Sequence, residues 1–202
     1  GVDAGAVRVD VGPGPLCRRT VVGVLFDWRV SWFEHHRHRL GQIADDAPRR
    51  AQVEQDRRTG SATLVTMPLM GWTPKNDSQA CGFSIQKYGN QDGNDWQWRP
   101  DCGNGRSGGE PITGNDPLDT SYTTTQAYVG EWVEALVNTY GAADAGGVRF
   151  YALDNEPMLW NDTHRDVHPM PTSYDEILER SLNVAAAIKA SDTAALTLGP
   201  VT

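Results

Sequence analysis

The chain has 202 residues, 39% hydrophobic and 22% charged, with a net charge of −8. That composition excludes a disordered, collagen-like or disulfide-dense chain, and the acidic balance argues against a nucleic-acid partner, because phosphate contacts need a basic surface. No apolar run approaches the roughly 20 residues of a membrane-spanning helix. The opening Gly1-Val2-Asp3-Ala4-Gly5 carries neither an initiator Met nor a signal-peptide pattern, so the chain reads as part of something longer.

The charge is unevenly spread. Residues 1 to 60 hold ten Arg, no Lys and eight acidic residues, a balance of +2, which leaves −10 for residues 61 to 202. Within residues 1–52 only Val21 to Phe26 reads as a short buried strand. Trp32-Phe33-Glu34-His35-His36-Arg37-His38-Arg39 fits neither a helical nor a strand period, and one reading of the segment is translation in a wrong frame of a GC-rich gene. The chain is therefore divided into a poorly assignable segment 1–52 and a folded unit 53–202.

From Ser61 the pattern sharpens. Ala62-Thr63-Leu64-Val65-Thr66-Met67 is a β-branched, apolar run stopped by Pro68, hence a buried strand. Residues 71 to 121 are rich in Gly, Asn, Asp and Trp and predict a long loop of the kind that binds ligands. Cys81 and Cys102 lie in it and are candidates to bridge it in an oxidising compartment, leaving Cys17 over.

Thr123 or Thr124 is the expected cap of a helix carrying Val129, Trp132, Val133, Leu136, Val137 and Tyr140 on one face, ended by Gly141. Val148 to Leu153 predicts a strand. Ser173-Tyr174-Asp175-Glu176 is a capping box for a second helix with Ile177, Leu178, Ser181, Val184, Ala185 and Ile188 inward, and Ala195 to Leu198 predicts a last strand.

This alternation implies an α/β fold with parallel strands and right-handed crossovers, whose strand C-termini share the edge where such folds bind ligands. The edge segments are Pro68-Leu69-Met70-Gly71-Trp72, Asp154-Asn155-Glu156-Pro157 and Gly199-Pro200-Val201-Thr202. Glu156 is the catalytic candidate, a carboxylic acid suited to protonating a departing glycosidic oxygen, with Asn155 placed to hydrogen-bond a sugar hydroxyl. Trp72 and Trp160 each follow a strand end and are candidate stacking platforms for pyranose rings, with Trp96 and Trp98 in the long loop behind them.

His164-Arg165-Asp166-Val167-His168 has the four-residue His spacing of some zinc sites, but Pro169 and Pro171 follow closely and no Glu stands where a metalloprotease base would. The preferred reading is an Arg165–Asp166 ion pair, with His168 at the cleft and no metal. His35, His36 and His38 form a second such cluster with the same outcome. Asp92, Asp95, Asp101, Asn104, Asp116 and Asp119 are candidate oxygen ligands for a structural calcium, or simply turn residues.

Several stretches together resemble glycoside hydrolase family 44. They are Leu64-Val65-Thr66-Met67-Pro68-Leu69-Met70-Gly71-Trp72, Asp101-Cys102-Gly103-Asn104-Gly105, Tyr151-Ala152-Leu153-Asp154-Asn155-Glu156-Pro157-Met158-Leu159-Trp160, Thr163-His164-Arg165-Asp166-Val167-His168-Pro169 and Leu198-Gly199-Pro200-Val201. The resemblance covers about residues 53 to 202. It implies part of a TIM-like (β/α)8 barrel, truncated before its later strands, from a secreted retaining hydrolase of β-1,4-glucans such as cellulose or xyloglucan. It also implies that Glu156 is the general acid/base, that Asn155 contacts the sugar's 2-hydroxyl, and that the nucleophile lies beyond Thr202.

On that reading the chain alone is inactive, its partner is a β-glucan, and no cofactor is needed for the chemistry. The intact protein is expected to be a monomer. Two other classes remain open: a metal-dependent hydrolase using His164 and His168, and a non-catalytic carbohydrate-binding protein.

Overall fold

A computed structural model describes residues 22–24, 47–75 and 81–200. Cys17, the His35/His36/His38 cluster and the last two residues, Val201 and Thr202, lie outside the described residues. Four strands, β1 (Val22–Val24), β2 (Ala62–Met67), β3 (Phe150–Leu153) and β4 (Leu196–Leu198), form a sheet in the order β1-β2-β3-β4. Every pairing is parallel, with Val22 opposite Ala62, Leu64 opposite Phe150, and Leu196 also opposite Phe150.

Three longer helices connect them: α1 (Ala47–Thr59), α2 (Gln126–Tyr140) and α3 (Tyr174–Ser191). α1 spans the expected boundary at residue 53, where the resemblance begins. It has almost no apolar stripe; among its described side chains only Val53 is in the core, and polar contacts tie it down. The Thr63 hydroxyl donates to Asp56 Oδ2 at 2.8 Å, Gln52 Nε2 donates to Oδ1 at 2.9 Å, and Arg57 Nη1 donates to the Tyr140 carbonyl.

α2 begins one residue later than the sequence suggests. Thr125 is its cap, accepting from Tyr128 N, because Ser121–Thr123 forms a strand against Trp72–Pro74 and so withdraws Thr123 from capping. α3 starts as expected at Ser173, whose hydroxyl accepts from Glu176 N, although the Glu176 carboxylate is turned elsewhere. On α3, Val184 and Ile188 are buried while Leu178 faces solvent with Leu182, a correction to its expected inward position.

The two faces of the sheet differ. Val65, Met67, Tyr151 and Leu153 pack under Trp132, Val133, Leu136, Val184 and Ile188 of α2 and α3, forming the main core. Strand side chains alternate faces, so Leu64 and Ala152 form a separate small cluster on the opposite side with Phe150 against it. Leu196 and Leu198, in register with Phe150 and Ala152, share that face and are 42% and 41% exposed.

The described residues of the expected long loop, 71–75 and 81–121, carry regular structure of their own. It is built from short antiparallel ladders: the Trp72–Pro74 and Ser121–Thr123 stem, Asn94–Asp95 with Arg99–Gly103, and Arg106–Ser107 with Glu110–Pro111. Cys81 and Cys102 are bonded, closing the segment on itself as a disulfide of sequence separation 21.

Candidate active site

The C-terminal ends of β2 and β3 lie side by side, since Met67 pairs with Leu153. Just beyond them the chain makes two turns, 68–71 and 154–159. Asp154 and Glu156 both adopt left-handed backbone conformations, with φ of 58° and 45°. For a residue with a side chain that conformation costs on the order of 1–3 kcal/mol, and it persists only where surrounding contacts enforce it. Glu156 then caps the short turn Pro157–Leu159, its carbonyl accepting from Leu159 N at 2.9 Å. The outcome is an exposed Glu156 carboxylate on a fixed, buried Pro157 base. Asn155 stands beside it, with Nδ2 3.5 Å from Glu156 Oε2.

Asp154, to which sequence reasoning gave no role, is the residue that enforces this geometry. Its Oδ1 accepts from Asn155 N and its Oδ2 from Leu69 N, both at 2.7 Å, while its own N–H donates to the Met67 carbonyl at 2.9 Å. Burial pushes this carboxyl upward, against the pull of the backbone N–H donors around it. The Trp160 indole N–H lies near the same carboxylate without completing a hydrogen bond of normal geometry. The signal available in sequence was an Asp at a strand end directly before the Asn-Glu pair, which competes with any turn-forming Asp.

Trp160 does not fit the expected stacking role. It is 1% exposed, with the His168 ring edge-on at 5.2 Å and the Arg180 guanidinium over it at 6.0 Å. A sugar cannot reach either face, so Trp160 forms the floor beneath the Glu156 turn. His168 is likewise buried at 8% exposure rather than set at a cleft. Its Nε2 donates to Glu176 Oε1 at 2.9 Å, an arrangement that commits this nitrogen and withdraws it from any metal.

Burial pushes the Glu176 carboxyl up, but the His168 hydrogen bond and the Arg180 charge outweigh it and hold the carboxyl below its ordinary value. His164 is driven down to about 4, mainly by burial with a smaller push from His168, and is therefore neutral at pH 7.

The expected Arg165–Asp166 ion pair is also corrected. Arg165 reaches into the 81–112 hairpins, donating to the carbonyls of Gly105 at 2.6 Å, Asn104 at 3.2 Å and Ile112 at 3.4 Å, with its guanidinium over Phe83. Asp166 packs against Gly82, where a side chain would collide with its carboxylate, and burial pushes its carboxyl up. The segment thus fastens the hairpins to the turn that follows β3 and presents no ligand set.

Trp72 is half-buried at the foot of the hairpin stem, on the same edge as Glu156, whereas Trp96 and Trp98 are 76% exposed at the tip of the 94–103 hairpin. That tip is stiff: Arg99 Nε bonds Asp95 at 2.9 Å and Asn94 Nδ2 donates to the Pro100 carbonyl.

The six candidate calcium ligands are engaged in turns. Asp92 accepts from Gly108 N and Gly109 N, Asp101 from Ser84 and Gln86 N, Asp116 from Leu118 N, Asn104 from Arg106 N, and Asp119 from Lys87 and Tyr88. Asp95 holds Arg99. Among the described residues no three His, Cys, Asp or Glu side chains gather where they could hold a metal ion, and no helix is long and apolar enough to cross a membrane.

The described residues form a parallel α/β sheet with an exposed carboxylate on a strained turn at the C-terminal edge of its strands, the edge where parallel α/β folds bind ligands. Comparison with known proteins sharpens this. The sequence profile of glycoside hydrolase family 44 matches residues 27–202, and the chain belongs to that family. The match starts well before residue 53, where the motifs become readable.

Endoglucanase A of Paenibacillus lautus is 41% identical over 76 residues, covering 37% of this chain and 11% of that protein. Beta-mannanase/endoglucanase A of Caldicellulosiruptor saccharolyticus is 26% identical over 182 residues, covering 86% of this chain and 12% of its own length. Among solved structures, CelM2, a bifunctional glucanase-xylanase from a metagenome library, superposes with a TM-score of 0.72 at 40% identity over 77% of this chain and 31% of that one. A Paenibacillus polymyxa family 44 xyloglucanase with xyloglucan gives a TM-score of 0.50 at 30% identity, covering 75% and 27%. The chain therefore spans less than a third of these solved structures and about an eighth of the curated relatives.

Proposed function

We propose that this chain is the acid/base-bearing part of a secreted retaining hydrolase of β-1,4-glucans. The observation that carries the reading is the Asp154-Asn155-Glu156-Pro157 turn. It holds an exposed carboxylate at the C-terminal edge of a parallel sheet, in a backbone conformation maintained by the partly buried Asp154. In a retaining mechanism one carboxylic acid protonates the leaving oxygen, and a second, about 5 Å away, attacks the anomeric carbon. Glu156 is suited to the first role and Asn155 to the 2-hydroxyl of the sugar. The second carboxylate is proposed to come from a later strand.

The same face asymmetry supports a (β/α)8 barrel. Leu64, Phe150, Ala152, Leu196 and Leu198 line the face on which none of the described helices packs, two of them exposed, as interior residues of a barrel arc would be before the remaining strands close over them. The Cys81–Cys102 bond supports an oxidising, extracellular location. Xyloglucan or another β-glucan is the proposed substrate, with Trp72, which follows the end of β2, as one stacking surface and the exposed Trp96 and Trp98 as another.

The test is Glu156→Gln in the full-length protein. Hydrolysis of polysaccharide is expected to fall by about 10²–10⁴-fold, the usual contribution of general acid catalysis, while an aryl glycoside with a good leaving group is slowed far less because it needs little protonation. Equal loss on both substrates, or none, refutes the role.

A further inference from the structure

The geometry points to Arg180 as a positioning residue of this site, acting with Asp154 to hold the two strand-end turns in one frame; the inference rests on the acid role proposed for Glu156. Leu69, the buried residue that opens the first turn, is gripped by both of its backbone polar groups. Its N–H donates to Asp154 Oδ2 at 2.7 Å, and its carbonyl accepts from Arg180 Nη1 at 2.9 Å.

Arg180 comes from the middle of α3, and its direction is fixed from behind. Nε and Nη2 both lie 2.9 Å from Glu176 Oε1, one helical turn earlier. The same Glu176 oxygen holds His168, whose ring meets the edge of Trp160, and Arg180 itself lies over Trp160. The contacts close a circuit that leaves the catalytic turn at Asp154 and returns to it at Trp160. A guanidinium suits this position because its fork serves a carboxylate and a carbonyl at once.

Gly71 completes the arrangement. Its φ is +80°, and a Cβ there would stand 2.8 Å from Arg180 Nη1, so this residue both needs the left-handed conformation and leaves the space that the guanidinium occupies. Any side chain at 71 pushes Arg180 off Leu69. Loss of Arg180 frees the Leu69 carbonyl and loosens the anchor of Asp154, two residues before Glu156. The acid then samples positions away from the leaving oxygen, and a misplacement of about 1 Å can cost on the order of 100-fold in rate.

The experiment compares Arg180→Ala, Arg180→Lys, Gly71→Ala and the Arg180→Ala/Gly71→Ala pair in the full-length protein. Each is assayed on xyloglucan and on a nitrophenyl cello-oligosaccharide, with rates corrected for folded fraction. Arg180→Ala is expected to lower kcat on xyloglucan by roughly 10- to 100-fold and on the aryl substrate by only a few-fold. Arg180→Lys should recover part of the loss, Gly71→Ala should repeat the asymmetry, and the pair should be no worse than Arg180→Ala alone. Equal losses on the two substrates, additive effects in the pair, or wild-type kinetics overturn the positioning role. If Arg180→Ala does not fold, Arg180→Lys and Gly71→Ala decide the question by the same asymmetry. Glu156→Gln run alongside separates the premises: without its own asymmetry the acid assignment fails, and with it a symmetrical Arg180→Ala rejects the clasp alone.

Discussion

Lowering the pH should withdraw a stabilising contribution made by His164, alongside that of carboxyl groups such as Glu176 that are held low, and the size and window of the His164 contribution follow from its surroundings. The imidazole is desolvated at the end of the turn after Trp160, and burial takes it from an ordinary 6.5 down to about 4. The folded state therefore binds the proton less readily than the unfolded chain. Its contribution is fully present above pH 6.5, is lost as the pH falls from 6.5 to 4, and is constant below.

At 1.36 kcal/mol per pH unit the loss is about 3 kcal/mol. Asp154 and Asp166 act in the opposite direction, because burial raises their carboxyl groups and so favours the folded state as they take up protons. Total stability is thus a poor readout, and the difference between wild type and His164→Asn isolates the term. Urea unfolding of the full-length protein at pH 7.5, 5.5 and 4 should show the difference shifting by about 3 kcal/mol in favour of the variant on acidification, whatever its offset at pH 7.5. A difference independent of pH refutes the reasoning, as does one that moves toward wild type.

Three further outcomes are expected. Trp160→Phe should lower stability by about 1–3 kcal/mol, as buried core substitutions do, yet leave oligosaccharide affinity within about two-fold; weakened binding at unchanged stability would restore Trp160 as a stacking platform. Trp96→Ala and Trp98→Ala, at exposed positions, should leave the melting temperature unchanged while weakening retention in affinity gels containing β-glucan, each stacked ring being worth about 0.5–1.5 kcal/mol; unchanged retention removes the hairpin tip from the substrate path. Replacing Cys81 and Cys102 by Ser should cost about 3 kcal/mol by the chain-entropy estimate for a loop of this length, read as a lower urea midpoint, and an unchanged midpoint would show that the hairpins hold without the bond.

How much was legible in advance depended on the kind of signal. β2, β3, α2 and α3 follow from apolar periodicity and caps, because each buries one face against the same core and burial is written into residue type along the chain, while β4 follows from its alternating Leu-Thr-Leu pattern although both leucines are half-exposed. α1 escaped that test since Val53 alone of its described side chains reaches the core and the helix is held by Asp56, Gln52 and Arg57 through contacts with distant or polar partners. The 71–121 segment looked unstructured because its ladders are two to five residues long and take their order from a disulfide and from Arg165, some 60 residues away.

The sequence by itself determined the alternating elements and singled out Asn155-Glu156-Pro157, because the succession of strands and helices and the place of a carboxylate at a strand end are consequences of local pattern. Only the tertiary structure decided that Trp160 and His168 lie beneath the site and that Asp154 and Arg180 grip Leu69 between them. An aromatic or charged side chain has the same letter whether it faces a ligand or the interior. The choice is made by what the helix at 174–191 brings against it, and no spacing within the turn itself encodes that.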